Sequence, residues 1–202
     1  MMIELNATPL YTLPESYRHR GKPSSWAEMT RPGQKMHSFL EAAFFDANLN
    51  LWLSDVPYGR IFRISTEGHW EVMHQIDGEP HSMRITRDGK HIAVDYRHGL
   101  IEFTGDDSFK VLSNGIGGQS FLGLSDMYLA DDETLWFTDS GRSSYSNPIG
   151  RVYCRSPNGT VRLLLDCVPY SNGICLSHDG NTVYVAATRA NQVWQFSSML
   201  PK

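Results

Sequence analysis

The sequence lacks long apolar runs and has no segment that resembles an export signal. No stretch approaches the roughly 18 consecutive apolar residues that a membrane-spanning helix needs. The N-terminal segment carries Glu4 and several prolines where a signal peptide has a continuous apolar core. We therefore expect a cytoplasmic protein with no membrane partner.

Basic residues are not in excess, and cysteines are few. The chain has 18 Lys and Arg against 22 Asp and Glu, a formal charge of −4, so a basic face for nucleic acid is not expected. The three cysteines, Cys154, Cys167 and Cys175, form an odd set without C-x-x-C spacing, which favours a reducing compartment. Cys175 lies in an apolar run and is predicted to be a small core residue.

A strand–turn–strand pattern occurs four times after residues 1–36, which we interpret as an irregular lead-in with at most one short strand. The repeats cover residues 40–55, 80–95, 124–139 and 171–187. Each joins a short strand to a β-rich strand through a polar turn, such as Arg87-Asp88-Gly89, that tolerates positive φ. Their second strands end at Asp55, Asp95, Asp139 and Ala187, at spacings of 40, 44 and 48 residues.

Further strands follow each repeat, and they define the fold class. A third strand follows every repeat, and a fourth follows the first three. Four antiparallel strands per repeat of this length are typical of a β-propeller blade. We predict an all-β chain with about four blades, at residues 37–78, 79–114, 121–168 and 169–202. The last repeat ends after its third strand, so a closed four-bladed ring would need the lead-in to supply a strand.

Four polar residues occupy equivalent positions at the start of the first strand of each repeat. They are Glu41, His81, Ser125 and Asn172. In a propeller the first strands line the central channel, so these side chains are expected to converge. A carboxylate, a hydroxyl and an amide oxygen suit Ca²⁺ or Mg²⁺. Three other interpretations stay open: a water-filled channel without metal, a Glu41–Arg pair across it, and a solvated His81.

The strands between residues 37 and 196 resemble the senescence marker protein/gluconolactonase family, the regucalcin-like six-bladed propellers. The matching strings are LWLSDVP and RIFR (51–57 and 60–63), LWFTD (135–139), and SNGI, SHDG and VYV (171–174, 177–180 and 183–185). The resemblance implies a six-bladed type of propeller that lacks its C-terminal blades here.

The resemblance also implies a divalent cation in the channel, usually Ca²⁺, with Mg²⁺, Zn²⁺ and Mn²⁺ as alternatives. The family's first ligand maps to Glu41, and an Asn-Gly ligand maps to Asn172. A residue that positions metal, water or substrate maps to Ser125, and the acid that follows it is Asp126. The last family ligand, a fifth-blade Asp that is also the favoured base, lies beyond this chain.

Two classes of function follow from these residues. The first is hydrolysis of a lactone or related ester, with Asp126 and Ser125 as catalytic residues and with His81 and Ser125 as substrate-binding residues. The second is a propeller that binds a ligand or protein without turnover, or an inactive truncated product. Ala42-Ala43 in place of Gly-Pro, Ser125 in place of Asn, and the absent Asp favour the second class. Open sheet edges also leave a homodimer as an alternative.

Other motifs in the sequence indicate structure rather than chemistry. Gly123-x-Ser125 lacks the second glycine of a nucleophile elbow, and the histidines show no paired zinc-binding spacing. The strand aromatics Trp52, Trp136, Tyr184 and Trp194 are predicted to pack between blades. The turn at residues 131–133 is predicted to be solvated.

Overall fold

The computed structural model describes residues 6–199 and contains four consecutive sheets arranged as blades of a β-propeller. Blade 1 consists of β1 (Leu40–Phe45), β2 (Leu51–Asp55), β3 (Arg60–Ile64) and β4 (Trp70–Gln75). Blade 2 consists of β5 (Pro80–Ile85), β6 (His91–Asp95), β7 (Gly99–Phe103) and β8 (Phe109–Ser113). In both blades the strands are antiparallel neighbours in chain order.

A small hairpin separates these blades from the other two. It pairs β9 (Gly115–Ile116) with β10 (Gln119–Ser120). Blade 3 consists of β11 (Leu124–Leu129), β12 (Leu135–Asp139), β13 (Gly150–Arg155) and β14 (Val161–Val168). Blade 4 consists of β15 (Ser171–Leu176), β16 (Thr182–Ala187) and β17 (Gln192–Ser197). The all-β, four-bladed prediction is confirmed.

The regular secondary structure in the lead-in is helical, whereas the sequence predicts at most one short strand there. It contains a 3₁₀ turn, Glu15–Tyr17, and one α-helix, α1 (Ser25–Thr30), and no strand within the described part of the lead-in. The hydroxyl of Ser24 caps α1 by accepting a hydrogen bond from Ala27 N at 3.2 Å. Six residues are fewer than two helical turns, too short for a periodic pattern to stand out in the sequence. Blade 4 therefore receives no fourth strand from the lead-in.

None of the helices in the described residues has the length and apolarity to cross a bilayer.

Adjacent blades bury their apolar faces against each other. One cluster joins blades 1 and 2 through residues such as Trp52 and Met83, a second joins blades 2 and 3 through Val94 and Phe137, and a third joins blades 3 and 4. A single blade has two faces to cover, so each depends on its neighbours. The predicted packing of Trp52 and Trp136 between blades is confirmed.

The cysteine prediction is partly wrong. Cys154 on β13 is buried, whereas Cys175 on β15 is exposed, and all three cysteines are free. Successive side chains on a strand point to opposite faces. Because Ile174 fills the core between blades 3 and 4, its neighbour Cys175 points away from that core.

A buried aspartate ends the second strand in three blades and ties down the segment that leads into the first strand. Asp55 accepts a hydrogen bond from Phe39 N at 2.8 Å. Asp95 accepts from Glu79 N at 2.6 Å, and Asp139 accepts from Leu122 N at 2.9 Å. All three aspartates have no exposed surface. Each tether therefore fixes the backbone two or three residues before Glu41, His81 and Ser125, respectively.

In blade 4, Ala187 stands in place of the aspartate, and the hydroxyl of Ser171 fixes the start of the first strand instead. The Oγ atom of Ser171 lies 2.9 Å from the backbone oxygens of Asp139 and of Arg151, which share its single O–H donor. Ser171 is fully buried. The first strand of blade 4 is thus tied to blade 3, one residue before Asn172.

Replacing Asp95 with alanine tests this tether. The carboxylate also accepts from the backbone N–H groups of Arg97 and His98, at 2.9 and 2.8 Å. Loss of three hydrogen bonds to a buried charge is expected to lower the free energy of unfolding by about 3 kcal/mol or more. Urea unfolding measures the change. Asp88→Ala, in an exposed turn of the same blade, is the control and should change stability little. Equal effects of the two substitutions would contradict the tether.

Candidate functional site

The candidate site residues lie at the same end of the first strand of each blade, at a break in strand pairing. Glu41 is the second residue of β1, His81 of β5, Ser125 of β11 and Asn172 of β15. Each first strand has a register shift beside this position, between Glu41 and Phe44 in blade 1, for example. Such β-bulges redirect side chains and are frequent next to functional sites.

Glu41 and His81 meet across the boundary between blades 1 and 2. His81 Nδ1 lies 2.6 Å from Glu41 Oε1. The contact lacks the alignment of a hydrogen bond, so Oε1 is buried without a hydrogen-bond partner among residues 6–199. His81 Nε2 is also buried and unpartnered in this part of the chain. Glu41 is therefore paired with a histidine rather than with an arginine, and His81 is largely shielded from solvent.

Ser125 and Asn172 form a second pair between blades 3 and 4. Ser125 Oγ donates a hydrogen bond of 3.0 Å to Asn172 Oδ1. Thr138 Oγ1 donates to the backbone oxygen of Asn172 at 2.8 Å, which fixes the backbone that carries the amide. The hydroxyl and amide oxygens are thus held side by side.

Asp126, the residue after Ser125, makes a further contact across the same blade boundary. Its Oδ2 accepts a hydrogen bond from Ile174 N at 3.1 Å, and its Oδ1 is buried without a partner in the described chain. Burial raises the pKa of the Asp126 carboxyl, against the attraction of the Arg84 guanidinium. Arg84 itself packs 4.9 Å from the ring centre of Phe44 and donates to Met83 O at 2.7 Å. Asp126 is therefore a largely desolvated acid.

The structure thus brings the predicted residues together as two pairs, one between blades 1 and 2 and one between blades 3 and 4. No hydrogen bond or ion pair joins the Glu41–His81 pair to the Ser125–Asn172 pair within residues 6–199. No group of three or more His, Cys, Asp or Glu residues in the same range is arranged around a metal position. The donor types nevertheless fit a hard cation, because the carboxylate of Glu41 and the amide oxygen of Asn172 are the kinds of ligand that Ca²⁺ prefers.

Sequence reasoning missed the aromatic residues that surround His81. The ring of Trp26, from α1, lies 6.0 Å from the His81 ring, and the ring of Tyr96 lies 5.8 Å from it. Arg142 Nε donates to the Tyr96 hydroxyl at 3.0 Å, and Arg142 Nη2 donates to Thr30 Oγ1 at 3.3 Å. These contacts link the lead-in to blades 2 and 3 beside the site.

Gly123 leaves the space that the ring of Tyr96 occupies. Gly123 has a φ of +146°, and a Cβ atom at this position would lie 2.2 Å from the Tyr96 ring. The glycine two residues before Ser125 is thus required by packing. The sequence signal for Tyr96 is its place directly after Asp95, but its contact with His81 depends on the fold.

Glu79 is a further buried acid near this end of the channel. Its Oε2 has no hydrogen-bond partner in the described chain, and it lies two residues before His81. Burial raises the pKa of the Glu79 carboxyl, while the charges of Arg97, His81 and Arg142 lower it. A second carboxyl group, that of Glu79, therefore lies close in sequence to the Glu41–His81 pair and has a buried oxygen without a partner in the described chain.

The sequence profile of the SMP-30/Gluconolactonase/LRE-like region matches residues 41–201. Because this match covers most of the chain, the protein belongs to that family. The matched region begins at Glu41 and includes all the candidate site residues.

A curated relative is lactonase drp35 of Staphylococcus aureus. It is 31% identical over 199 residues, which cover 93% of this chain and 58% of the relative. A drp35 lactonase from Staphylococcus saprophyticus is 29% identical over 178 residues. The chain thus spans less than two thirds of the length of the curated relatives that it matches.

Solved structures support the fold. A gluconolactonase from Xanthomonas campestris aligns with a TM-score of 0.71 at 20% identity, over 79% of this chain and 58% of that one. A calcium-binding regucalcin from Agrobacterium tumefaciens aligns with a TM-score of 0.67 at 20% identity, over 79% and 54% of the two chains. At these identities the likeness shows the shared propeller fold.

The buried Asp126 predicts a particular dependence of stability on pH. Its pKa is raised in the folded state, so the folded protein holds its proton to higher pH than the unfolded chain does. Stability should therefore fall as pH rises from the ordinary Asp range through the raised pKa. The loss is about 1.4 kcal/mol for every pH unit that separates the folded and unfolded pKa values. Asp126→Asn has no such proton to lose.

Urea unfolding between pH 3.5 and 7 measures this effect. The stability of Asp126→Asn relative to the native protein should increase with pH, whatever constant offset follows from replacing a carboxylic acid with an amide. A difference that is independent of pH would contradict a raised pKa of Asp126.

Proposed function

We propose that the protein hydrolyses a lactone or a related ester at the channel end that carries Glu41 and His81. Family membership and the curated lactonase relatives support this reaction class. The observation that carries the location is the 2.6 Å contact between Glu41 Oε1 and His81 Nδ1, with the buried His81 Nε2 left without a hydrogen-bond partner among the described residues. Buried polar atoms without partners are uncommon in folded proteins and point to groups that complete them.

Glu41 and Asn172 would hold a divalent cation, with Ca²⁺ favoured by their oxygen ligands. When bound, such a cation supplies a Lewis acid that polarises the carbonyl oxygen of the substrate. One carboxylate and one amide are fewer ligands than the six to eight that Ca²⁺ usually takes. We therefore propose weak binding, with the remaining positions filled by water or by groups outside this chain.

The other site residues orient the substrate and move a proton. His81 Nε2 and Ser125 Oγ are proposed to hydrogen-bond the lactone, since both lie at the strand ends that face the channel. Asp126 is proposed to accept the proton of the attacking water, because burial raises its pKa toward the range in which a general base is effective. The immediate product would be the ring-opened hydroxy acid.

A second candidate is a propeller that binds a ligand without turnover. Two departures from the family pattern favour it: Ala42-Ala43 stands in place of Gly-Pro after Glu41, and Ser125 stands in place of Asn. Gluconolactone hydrolysis with and without a chelator separates the candidates. Metal binding without measurable turnover would support the binding protein.

Glu41→Gln tests the metal assignment directly. The amide cannot supply the negative charge, so affinity for Ca²⁺ measured by titration calorimetry should fall at least tenfold, equivalent to about 1.4 kcal/mol. Glu71→Gln is the matched control, because this acid pairs with Arg63 on the outer part of blade 1. It should bind Ca²⁺ like the native protein. Native affinity in Glu41→Gln would exclude Glu41 as a ligand.

A further inference from the structure

Blades 1 and 3 place a tryptophan at the same position of the second strand. Trp52 pairs with Phe44 in blade 1, and Trp136 pairs with Tyr128 in blade 3. The turns before them have the same conformation. Asp46 N donates to Asn50 O and Ala130 N donates to Thr134 O, each at 3.0 Å. Residues 46 and 130 are therefore structurally equivalent.

The two indole groups differ in what they bind. Trp52 Nε1 donates a hydrogen bond to Asp46 Oδ2 at 2.8 Å. In blade 3 the equivalent residue is Ala130, which has no side-chain acceptor. Trp136 is 5% exposed, and its Nε1 is buried without a hydrogen-bond partner among the described residues. A buried donor left in this way is destabilising until an acceptor reaches it.

Trp136 and Ala130 line a cavity of about 340 Å³ between blades 3 and 4. This volume is within the range of small-molecule sites, roughly 300–1,000 Å³. In blade 1 the equivalent indole N–H points to residue 46, and residue 130, which takes that place in blade 3, lines the cavity together with Trp136. Ser125 lies at the other end of β11, so the cavity is about 17 Å away along the strand at 3.4 Å per residue. The cavity is therefore separate from the proposed hydrolytic site.

The cavity lining is acidic and aromatic. Three carboxylates contribute to it, those of Asp131, Asp132 and Asp179, and its described lining includes one histidine, His178, but neither lysine nor arginine. Arg87, which does not line the cavity, donates to the backbone oxygen of Asp131 at 2.7 Å. Hydrogen bonds from Ser177 and Asn181 hold the pKa of Asp179 at about 2, so this group is anionic at neutral pH. The rings of Tyr128 and Trp136 supply the aromatic part. Carboxylates and aromatic faces both attract organic cations, whereas an anion would be repelled.

We propose that this cavity binds a small organic ammonium ion that carries an acceptor oxygen. The oxygen takes the hydrogen bond of Trp136 Nε1, as the Asp46 carboxylate does for Trp52, and the ammonium group faces the carboxylates. A bare metal cation would leave the indole N–H unpaired, and an alcohol would leave the negative charge unused. The ligand class therefore requires both groups in one molecule.

Choline chloride is the probe, and the indole N–H signals in ¹H–¹⁵N spectra are the readout. The Trp136 signal is assigned by its absence in Trp136→Phe. We expect a saturable shift of this signal with choline, while the Trp52 signal, already paired with Asp46, stays in place. Tetramethylammonium, which has the charge but no oxygen, should bind at least tenfold more weakly, and sodium chloride should give no saturable shift.

Ala130→Asp supplies the carboxylate that blade 1 already has. It should pair the Trp136 N–H and raise the midpoint of thermal unfolding, so weaker binding of choline by this variant cannot be ascribed to misfolding. Choline should then bind no more tightly than tetramethylammonium. The proposal is overturned if choline leaves the Trp136 signal of the native protein unshifted, if all indole signals shift together, or if the two ammonium ions bind the native protein equally. None of these results depends on lactone hydrolysis.

Discussion

A buried carboxylate at the end of the second strand is the constraint on which the channel end depends. Asp55, Asp95 and Asp139 have no exposed surface. Such groups are tolerated because hydrogen bonds satisfy them, and in each blade one of these comes from a backbone N–H of the segment before the first strand. The same hydrogen bonds fix where that strand begins. Glu41, His81 and Ser125 follow two or three residues later. The hydrogen bond that satisfies the buried carboxylate therefore also positions these side chains.

This arrangement explains why neighbouring blades cooperate in the site. Glu41 needs blade 2 for its contact with His81, and Ser125 needs blade 4 for its hydrogen bond to Asn172. Blade 4 keeps the geometry with Ser171 in place of an aspartate, because its hydroxyl reaches carbonyl groups of blade 3. The fold therefore tolerates loss of the aspartate, provided that another hydrogen bond fixes the start of the first strand.

The repeat made the positions of the strands predictable from sequence, since side chains along a strand alternate between its two faces and the turns carry Asp, Asn and Gly. The ends of the second strands and the equivalent positions of Glu41, His81, Ser125 and Asn172 follow from that pattern. Helix α1 does not, because it is shorter than two turns and is held by Trp26 packing on Phe39. The positions of Tyr96 and Arg142 beside His81 depend on contacts across blades, which no local pattern encodes. Cys175 was misassigned because an apolar run does not show which side of the strand faces the core.

The most direct measurement of the central claim is an anomalous difference map from crystals of this chain grown with Mn²⁺. Convergence of the first strands predicts a peak at the channel end beside the Glu41 carboxylate and the Asn172 amide oxygen, with His81 and Ser125 next to them. A peak bound elsewhere, with Glu41 and Asn172 on separate surfaces of the molecule, would contradict the account.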